Sequence, residues 1–176
     1  EEHETYLTAA KVAAEAGVAW VALHARYASQ LYDGQADWSA IAKLVEFLEP
    51  TGVPVLGNGD IWSGADGVRM MSETGCAGVV VGRGCLGRPW LFKDLVNAFN
   101  GENSKVTPSL FEVREIMRRH AVLLMEFFEQ EGRAMRDLRK HMAWYLKGFR
   151  VNRDLRARFG MVASFGELDY LLGQLE

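Results

Sequence analysis

The chain has 176 residues, of which 49% are hydrophobic and 24% charged, with a formal net charge of −3. These values are typical of a globular protein with one sizeable domain or two small ones. No stretch approaches the roughly 20 uncharged apolar residues of a membrane span, and the first residues do not resemble a signal peptide. Cys76 and Cys85 lack CxxC spacing and neighbouring histidines, which argues against disulfides and metal sites. We therefore expect a cytoplasmic protein with no membrane partner and no metal.

Charge is distributed unevenly along the chain. Residues 1–104 hold 7 Lys/Arg and 13 Asp/Glu, whereas residues 105–176 hold 13 Lys/Arg and 10 Asp/Glu. Within the second part, residues 133–158 carry 9 Lys/Arg against 2 Asp. This concentration of positive charge indicates an anionic partner.

The first half alternates helical patterns with apolar runs of strand length. The helical patterns cover about 4–16, 39–49 and 64–75, and a capping box at Ser63–Asp66 opens the last of them. The apolar runs cover 18–24, 53–56 and 78–81. Repeats of this kind predict parallel strands with helices outside, in either a doubly wound sheet or a (β/α)8 barrel.

The second half carries only helical patterns. The stretch 97–108 is rich in Gly, Asn, Ser and Pro, and we place a linker at 101–108, between domains at 1–100 and 109–176. A capping box at Ser109–Glu112 opens a helix that runs to Gly132, a second helix covers about 133–148, and Ser164 begins a third. The fold class is therefore α/β followed by a small all-α bundle.

A polar or glycine-rich turn follows each predicted strand. The turns are His24-Ala25-Arg26, Gly57-Asn58-Gly59-Asp60 and Gly82-Arg83-Gly84. Because ligands of parallel α/β folds bind at the carboxyl ends of strands, these turns should meet at one site. Glycine admits an anion close to the backbone, Arg83 adds positive charge, and Pro89 marks the first turn of a helix whose N-terminus favours phosphate. Ordinary tight turns and a structural histidine at position 24 are the alternatives.

The predicted second helix has one basic face. At about 100° per residue, Arg133, Arg136, Lys140, Trp144 and Lys147 fall within roughly an 80° arc. The opposite side is apolar, with Met135, Leu138, Met142, Tyr145, Leu146 and Phe149. Such a stripe suits a nucleic-acid phosphate backbone, and the alternative is a solvated helix face.

Several motifs together resemble one family, the tRNA-dihydrouridine synthases. The resemblance covers essentially the whole chain and is carried by His24-Ala25-Arg26, Gln30-Leu31-Tyr32, Gly34, Ala36-Asp37-Trp38, Val53-Pro54-Val55, Gly57-Asn58-Gly59-Asp60-Ile61, Thr74-Gly75-Cys76, Gly82-Arg83-Gly84, Gly87-Arg88-Pro89-Trp90-Leu91-Phe92, Arg139-Lys140-His141 and Trp144-Tyr145. Tyr27 and Cys85 depart from the family pattern, which usually has Thr and Ala there.

The resemblance implies an FMN-dependent (β/α)8 TIM barrel that uses NADPH to reduce a uridine in tRNA, with a helical domain that helps to hold the tRNA. It implies flavin or phosphate contacts for six residues: His24, Asn58, Gly59, Asp60, Gly82 and Arg83. For tRNA we expect contacts from the basic stripe, from Arg139 beside it, and from Arg26 near the mouth of the barrel.

The family's proton-donating cysteine, in an Asn-x-x-Cys-Pro motif, and its flavin-facing lysine have no match in this chain. Neither Cys76 nor Cys85 has that context, so we assign no catalytic residue here. We expect the chain to be the C-terminal part of a longer protein, with about three of the eight barrel strands, and to be inactive alone. Two alternatives remain open: an FMN-dependent barrel dehydrogenase acting on a small molecule, and a non-catalytic RNA-binding module.

Overall fold

A computed structural model describes residues 5–30 and 33–175 of the chain. These residues form two compact units. The first comprises the chain up to Cys85 together with Trp90–Lys105, and the second comprises Leu86–Pro89 together with the chain from Val106 onward. Glu4 of the predicted first helix and Leu31-Tyr32 of the quoted motif lie outside the described residues.

Within its described residues, the first unit has three strands and four α-helices in the predicted alternating order. The strands are β1 Val21–His24, β2 Val55–Asn58 and β3 Gly78–Val80; the helices are α1 Tyr6–Glu15, α2 Trp38–Leu48, α3 Gly64–Thr74 and α4 Leu91–Phe99. β2 lies between β1 and β3 and pairs with both in parallel. The predicted parallel α/β arrangement is confirmed for these three strands.

Local sequence explains where two of these helices begin. The Asp37 carboxylate accepts the Ser39 N–H at the start of α2, and the Ser63 hydroxyl accepts the Asp66 N–H at 3.2 Å at the start of α3. The Asp66 carboxylate also accepts the backbone N–H of Trp62. These bonds satisfy donors that the first turn of a helix leaves without partners.

The core of the first unit lies between the sheet and its helices. Buried side chains come from the four helices, from β2 and from the connecting segments, and Cys76 is buried among them. The largest fully buried members are Ile41, Leu44, Leu48, Met70 and Leu91. Ile41, Leu44 and Leu48 lie on one face of α2 at helical spacing, which is the pattern that predicted the helix.

Two of the boundaries that differ from prediction lie near the ends of the strands or at the start of α4. β2 continues through Gly57 and Asn58, because both residues pair with neighbours on each side of the strand. α4 begins at Leu91 with Trp90 as its N-cap, so Pro89 precedes the helix and belongs to the second unit. The prediction that Pro89 occupies the first turn of this helix is wrong.

The second unit, as far as it is described, contains four helices: α5 Leu110–Phe128, α6 Glu131–Tyr145, α7 Arg153–Phe159 and α8 Phe165–Leu172. The predicted capping box at Ser109 and Glu112 is present, with both reciprocal bonds formed. α6 ends three residues earlier than predicted, and Gly148 follows with a φ of 90°. α7 was not predicted because its seven residues bury only Leu155 and Phe159, too few to show a helical period.

The apolar face predicted for α6 is buried. Met135, Leu138, Met142 and Leu146 are each at most 1% exposed, and α6 packs against α5. No helix of the described residues is both long and apolar enough to cross a membrane.

Two histidines meet where α5 packs on α6. The rings of His120 and His141 lie 4.7 Å apart edge to face, and His120 Nδ1 is 3.1 Å from the Tyr145 hydroxyl. Burial, followed by the charge of His141, lowers the pKa of His120 below its ordinary 6.5. Burial, followed by the charge of Lys140, lowers the pKa of His141 in the same way. Folding therefore favours the neutral form of both rings.

This arrangement predicts that the free energy of unfolding decreases as pH falls from about 7 to about 5.5. Both folded-state pKa values lie below the unfolded value, so the unfolded chain binds more protons in this window and acid favours unfolding. Urea unfolding at a series of pH values measures the slope, and His141→Gln is expected to make it shallower. A slope of opposite sign, or one identical in the variant, would contradict the assignment.

Candidate functional site

The ends of β1, β2 and β3, together with the loops after β2 and β3, meet around one pocket in the first unit. The pocket is lined by His24, Asn58, Gly59, Asp60, Ile61, Trp62, Val80, Gly82, Arg83 and Gly84. All six residues expected to contact a cofactor are in this set. The structure therefore brings together the turns that the sequence placed at three separate strand ends.

The register of the sheet explains this convergence. Asn58 lies opposite His24 of β1 and opposite Val80 of β3, so the three strands end at the same level. The Asn58 side-chain amide donates to the Val80 carbonyl at 2.6 Å, and the Ala25 N–H donates to the Asn58 carbonyl at 3.1 Å. These two bonds extend the strand pairing into the loops.

The turn after β2 has an unusual backbone. Asp60 has a φ of 53°, a left-handed conformation that non-glycine residues other than Asn and Asp rarely adopt. Gly59, before it, has a φ of 134°, and a Cβ at that position would lie 2.6 Å from the Ala36 Cβ. The Gly59 carbonyl accepts the Trp38 indole N–H at 3.1 Å. Glycine at position 59 thus allows the loop after β1 to approach this turn closely.

The Asp60 carboxylate is the centre of a polar network. Its two oxygens lie 3.0 and 2.9 Å from Arg26 Nη2, and Oδ2 also accepts the Ala36 N–H at 2.6 Å. Arg83 Nη2 lies 3.5 Å from Oδ1. The Asp60 carboxylate, in the turn after β2, therefore contacts residues of the other two loops.

Arg26 lies in the interior of this network. Its side chain is only 3% exposed, and its guanidinium also donates to the carbonyls of Asp33 and Gly34. A contact between Arg26 and tRNA stays a prediction, and the burial and ion pairing of its guanidinium argue against it. Its position is that of a structural anchor.

Arg83 is anchored but accessible. Its side chain is 35% exposed and its guanidinium lies 5.5 Å from the centre of the Trp62 ring. Contacts with a carboxylate and with an aromatic face restrict the guanidinium, which keeps an exposed portion at the pocket. Such a guanidinium suits an anionic ligand.

Sequence reasoning missed Trp62 and the tie between Arg26 and Asp60. Trp62 directly follows the Asn58–Ile61 turn, so an aromatic residue next to a predicted ligand loop was the available signal; in the structure its side chain is 46% exposed. The ion pair joins residues 34 positions apart, and local patterns carry no information about it.

The basic stripe lies in the second unit, on α6 and just beyond it. Arg133, Arg136, Lys140 and Trp144 are exposed on the helix, and exposed Lys147 lies in the turn after its end. The Arg133 guanidinium lies 4.6 Å from the Phe128 ring centre, and Lys140 Nζ lies 2.7 Å from the Asp137 carboxylate. Four of the five stripe residues therefore share the exposed side of one helix.

Two further contacts refine the predicted tRNA surface. Arg139 is half-buried and its Nε donates to the Val162 carbonyl at 2.7 Å, so part of its guanidinium is used inside the unit. A Cβ on Gly87 would lie 2.3 Å from the Trp144 backbone carbon. Trp144 is thus held by the close approach of the 86–89 segment within the same unit.

Among residues 5–30 and 33–175 there is no cluster of three or more His, Cys, Asp or Glu side chains arranged to hold a metal ion. The charged groups at the pocket are Asp60 and Arg83. The site thus combines a cation, an imidazole, an amide and glycine-rich backbone.

A parallel sheet with a pocket at the carboxyl ends of its strands places the chain in the class of α/β proteins, whose ligands commonly bind at that edge of the sheet. Comparison with known proteins narrows the class to a family. The family described as dihydrouridine synthase matches residues 1–172, and the chain belongs to it. The resemblance seen in the sequence is thereby confirmed.

Curated relatives agree with this assignment. The probable tRNA-dihydrouridine synthase of Mycobacterium tuberculosis (strain ATCC 25618 / H37Rv) is 52% identical over 176 residues, which are 100% of this chain and 44% of that protein. That of Mycobacterium leprae (strain TN) is 51% identical over the whole chain and 45% of its own length. The tRNA-dihydrouridine synthase B of Xanthomonas axonopodis pv. citri (strain 306) is 34% identical over 89% of this chain and 46% of its own length. The chain spans about half the length of the relatives it matches.

Two glycines of the loop after β3 provide a test of the site's packing. A Cβ on Gly84 would lie 2.0 Å from the Ile61 carbonyl oxygen, whereas a Cβ on Gly82 has nothing within 4 Å. Gly84→Ala is expected to lower the free energy of unfolding by about 2–3 kcal/mol because the two loops must separate. Gly82→Ala, the matched control, should change it by less than about 0.5 kcal/mol. Urea unfolding of both variants measures this, and equal losses would show that the loops do not pack as described.

Proposed function

We propose that this chain is part of an FMN-dependent tRNA-dihydrouridine synthase, which reduces uridine to dihydrouridine in tRNA with NADPH as the reductant. In this proposal the first unit is the C-terminal portion of a (β/α)8 barrel and the second a helical domain that binds tRNA. The observation that carries it is the convergence of six separately predicted residues on one pocket, in a chain of the dihydrouridine synthase family.

The residues of the pocket fit FMN. Arg83 offers a restrained, partly exposed guanidinium, and the space that a Cβ on Gly82 would occupy is open. A phosphate could therefore approach both the guanidinium and the backbone. His24 and the Asn58–Asp60 turn line the same pocket and would position the flavin. When bound, FMN supplies hydride transfer between NADPH and the uracil ring.

In this proposal the chain contributes binding and orientation. A fixed pocket holds the reacting groups close together and aligned, which contributes much of the rate enhancement in two-substrate reactions. Cys76 is 4% exposed in the core, and the Cys85 thiol donates to the Gly82 carbonyl at 3.1 Å. Neither sulfur lies among the residues that line the pocket. We therefore assign the proton donor to a cysteine outside this chain, and we expect the chain alone to be inactive.

The second unit would supply the grip on tRNA. The exposed cations of the stripe suit a phosphate backbone, and Trp144, 38% exposed among them, offers a surface for an unstacked base. A base must leave its stack before an enzyme can act on it, so a gripping surface separate from the pocket has a clear purpose. The proposed domain limits are 1–100 and 109–176, joined by a linker at 101–108.

The function is tested with the full-length protein. Flavin absorbance of the purified protein, and NADPH-dependent formation of dihydrouridine in unmodified tRNA, are the expected results. A flavoprotein that neither binds nor modifies tRNA would favour a small-molecule dehydrogenase. A protein that binds tRNA without flavin would favour a non-catalytic RNA-binding module.

Charge reversal on the stripe tests the tRNA surface. Arg136→Glu with Lys140→Glu is expected to weaken tRNA binding at least tenfold at low salt and to reduce the dependence of affinity on salt, because phosphate contacts release counterions. Arg119→Glu, on an exposed position of α5, serves as a control for charge reversal outside the stripe. Filter binding over a salt series measures both quantities. Unchanged affinity in the double variant, or an equal loss in the control, would remove the stripe from the binding surface.

A further inference from the structure

The contacts of Asp60 separate it from the residues expected to touch the ligand. Its carboxylate accepts from Arg26 and from the Ala36 N–H, and it contacts Arg83. Three partners thus engage two oxygens, which leaves little capacity for a bond to a ligand. Each of these partners belongs to the loop after β1 or to the loop after β3, and none to the turn of Asp60 itself.

We propose that Asp60 is a positioning residue, which holds the loops after β1 and β3 in the arrangement that forms the pocket. On the β1 side it acts through Arg26, whose buried guanidinium also binds the carbonyls of Asp33 and Gly34. The Ala36 amide, 2.6 Å from Oδ2, fixes the far end of the same loop. His24 is the last residue of β1, so the carboxylate fixes the segment that directly follows it.

On the β3 side, Asp60 sets the place of Arg83. The guanidinium is held between Oδ1 of the carboxylate, at 3.5 Å, and the Trp62 ring, at 5.5 Å from its centre. Restraint of this kind reduces the side-chain entropy that Arg83 would lose on binding an anion. The Asp60 carboxylate and a bound anion would then both lie near the Arg83 guanidinium, and the role of the carboxylate would be to orient that guanidinium.

The left-handed backbone of Asp60 supports the same role. A φ of 53° favours Gly, Asn or Asp at position 60. Of these residues only Asp carries a negative charge that can pair with Arg26. Asp60→Asn consequently keeps the backbone conformation and the side-chain volume while it removes the charge, which makes it a clean test.

The test uses the full-length protein, four variants of the ion pair and one control variant. Asp60→Asn and Arg26→Gln each remove the ion pair, and the double variant removes the same single interaction. Arg26→Lys keeps the positive charge but lacks the planar set of donors that arginine offers to a carboxylate. Asn97→Ala is the matched control, because it removes a buried hydrogen bond to Ser104 elsewhere in the same unit. If Arg26→Gln does not fold, Asp60→Asn and Arg26→Lys decide the outcome.

The first measurement needs no ligand. Hydrogen exchange of the Ala36 amide is expected to be at least tenfold faster in Asp60→Asn than in wild type, and within twofold of wild type in Asn97→Ala. Equal protection of this amide in wild type and Asp60→Asn would show that the Asp60 carboxylate does not hold the loop after β1.

The second measurement is the affinity for FMN and for riboflavin, followed by flavin fluorescence; this part rests on the proposed function. Asp60→Asn and Arg26→Gln are each expected to lower the affinity for both flavins at least tenfold. The double variant should lower it no further than either single change, and Arg26→Lys should have an intermediate effect. Asn97→Ala should stay within threefold of wild type.

Tighter FMN binding with unchanged riboflavin binding in Asp60→Asn would show that the carboxylate only competes with the phosphate, and would overturn the proposal. If wild type binds neither flavin, the proposed function fails, and the exchange of the Ala36 amide still decides whether Asp60 positions the loops.

Discussion

The ion pair between Asp60 and Arg26 fixes the arrangement on which the pocket depends. Parallel strands bring the loops to the same edge of the sheet, but they do not determine how the loops fold over that edge. Here the carboxylate joins all three loops, and Arg26 is 3% exposed where it meets it. Removal of one partner from a buried ion pair typically costs about 3–5 kcal/mol. The pair is therefore a strong constraint on loop conformation, whatever its net contribution to folding.

The two arginines of the pocket region divide two tasks between them. Arg26 has its guanidinium bound to a carboxylate and two carbonyls and is closed to solvent, whereas Arg83 touches the same carboxylate and remains 35% exposed. One guanidinium thus builds the site and the other faces the pocket. The same separation appears in the second unit, where Arg139 donates to the Val162 carbonyl while Arg136 and Lys140 are exposed.

Much of this architecture follows from local sequence. The continuous apolar run at 78–81, the helical spacing of α2, and the caps at Ser63 and Ser109 identify elements whose partners lie within a few residues. The rule that ligands bind at the carboxyl ends of parallel strands then placed six pocket residues together. Local sequence did not reveal the pairing of Arg26 with Asp60. Arg26 and Arg83 both follow the ends of strands, and nothing in the local pattern showed which of them is buried.

The short helix α7 was missed for a related reason. Its stability comes from the packing of Leu155 and Phe159 and not from a long periodic face. Contacts between residues far apart in sequence decide both features, and a local pattern does not record such contacts.

In the proposed function, one pocket at the ends of three strands, held in shape by one carboxylate, receives the phosphate of a flavin nucleotide. The most direct measurement is a crystal structure of the full-length protein with FMN. The account predicts the phosphate within hydrogen-bonding distance of Arg83 and next to Gly82, with Asp60 still paired to Arg26. A phosphate bound elsewhere, with residues 58–60 and 82–84 not in contact with the flavin, would contradict it.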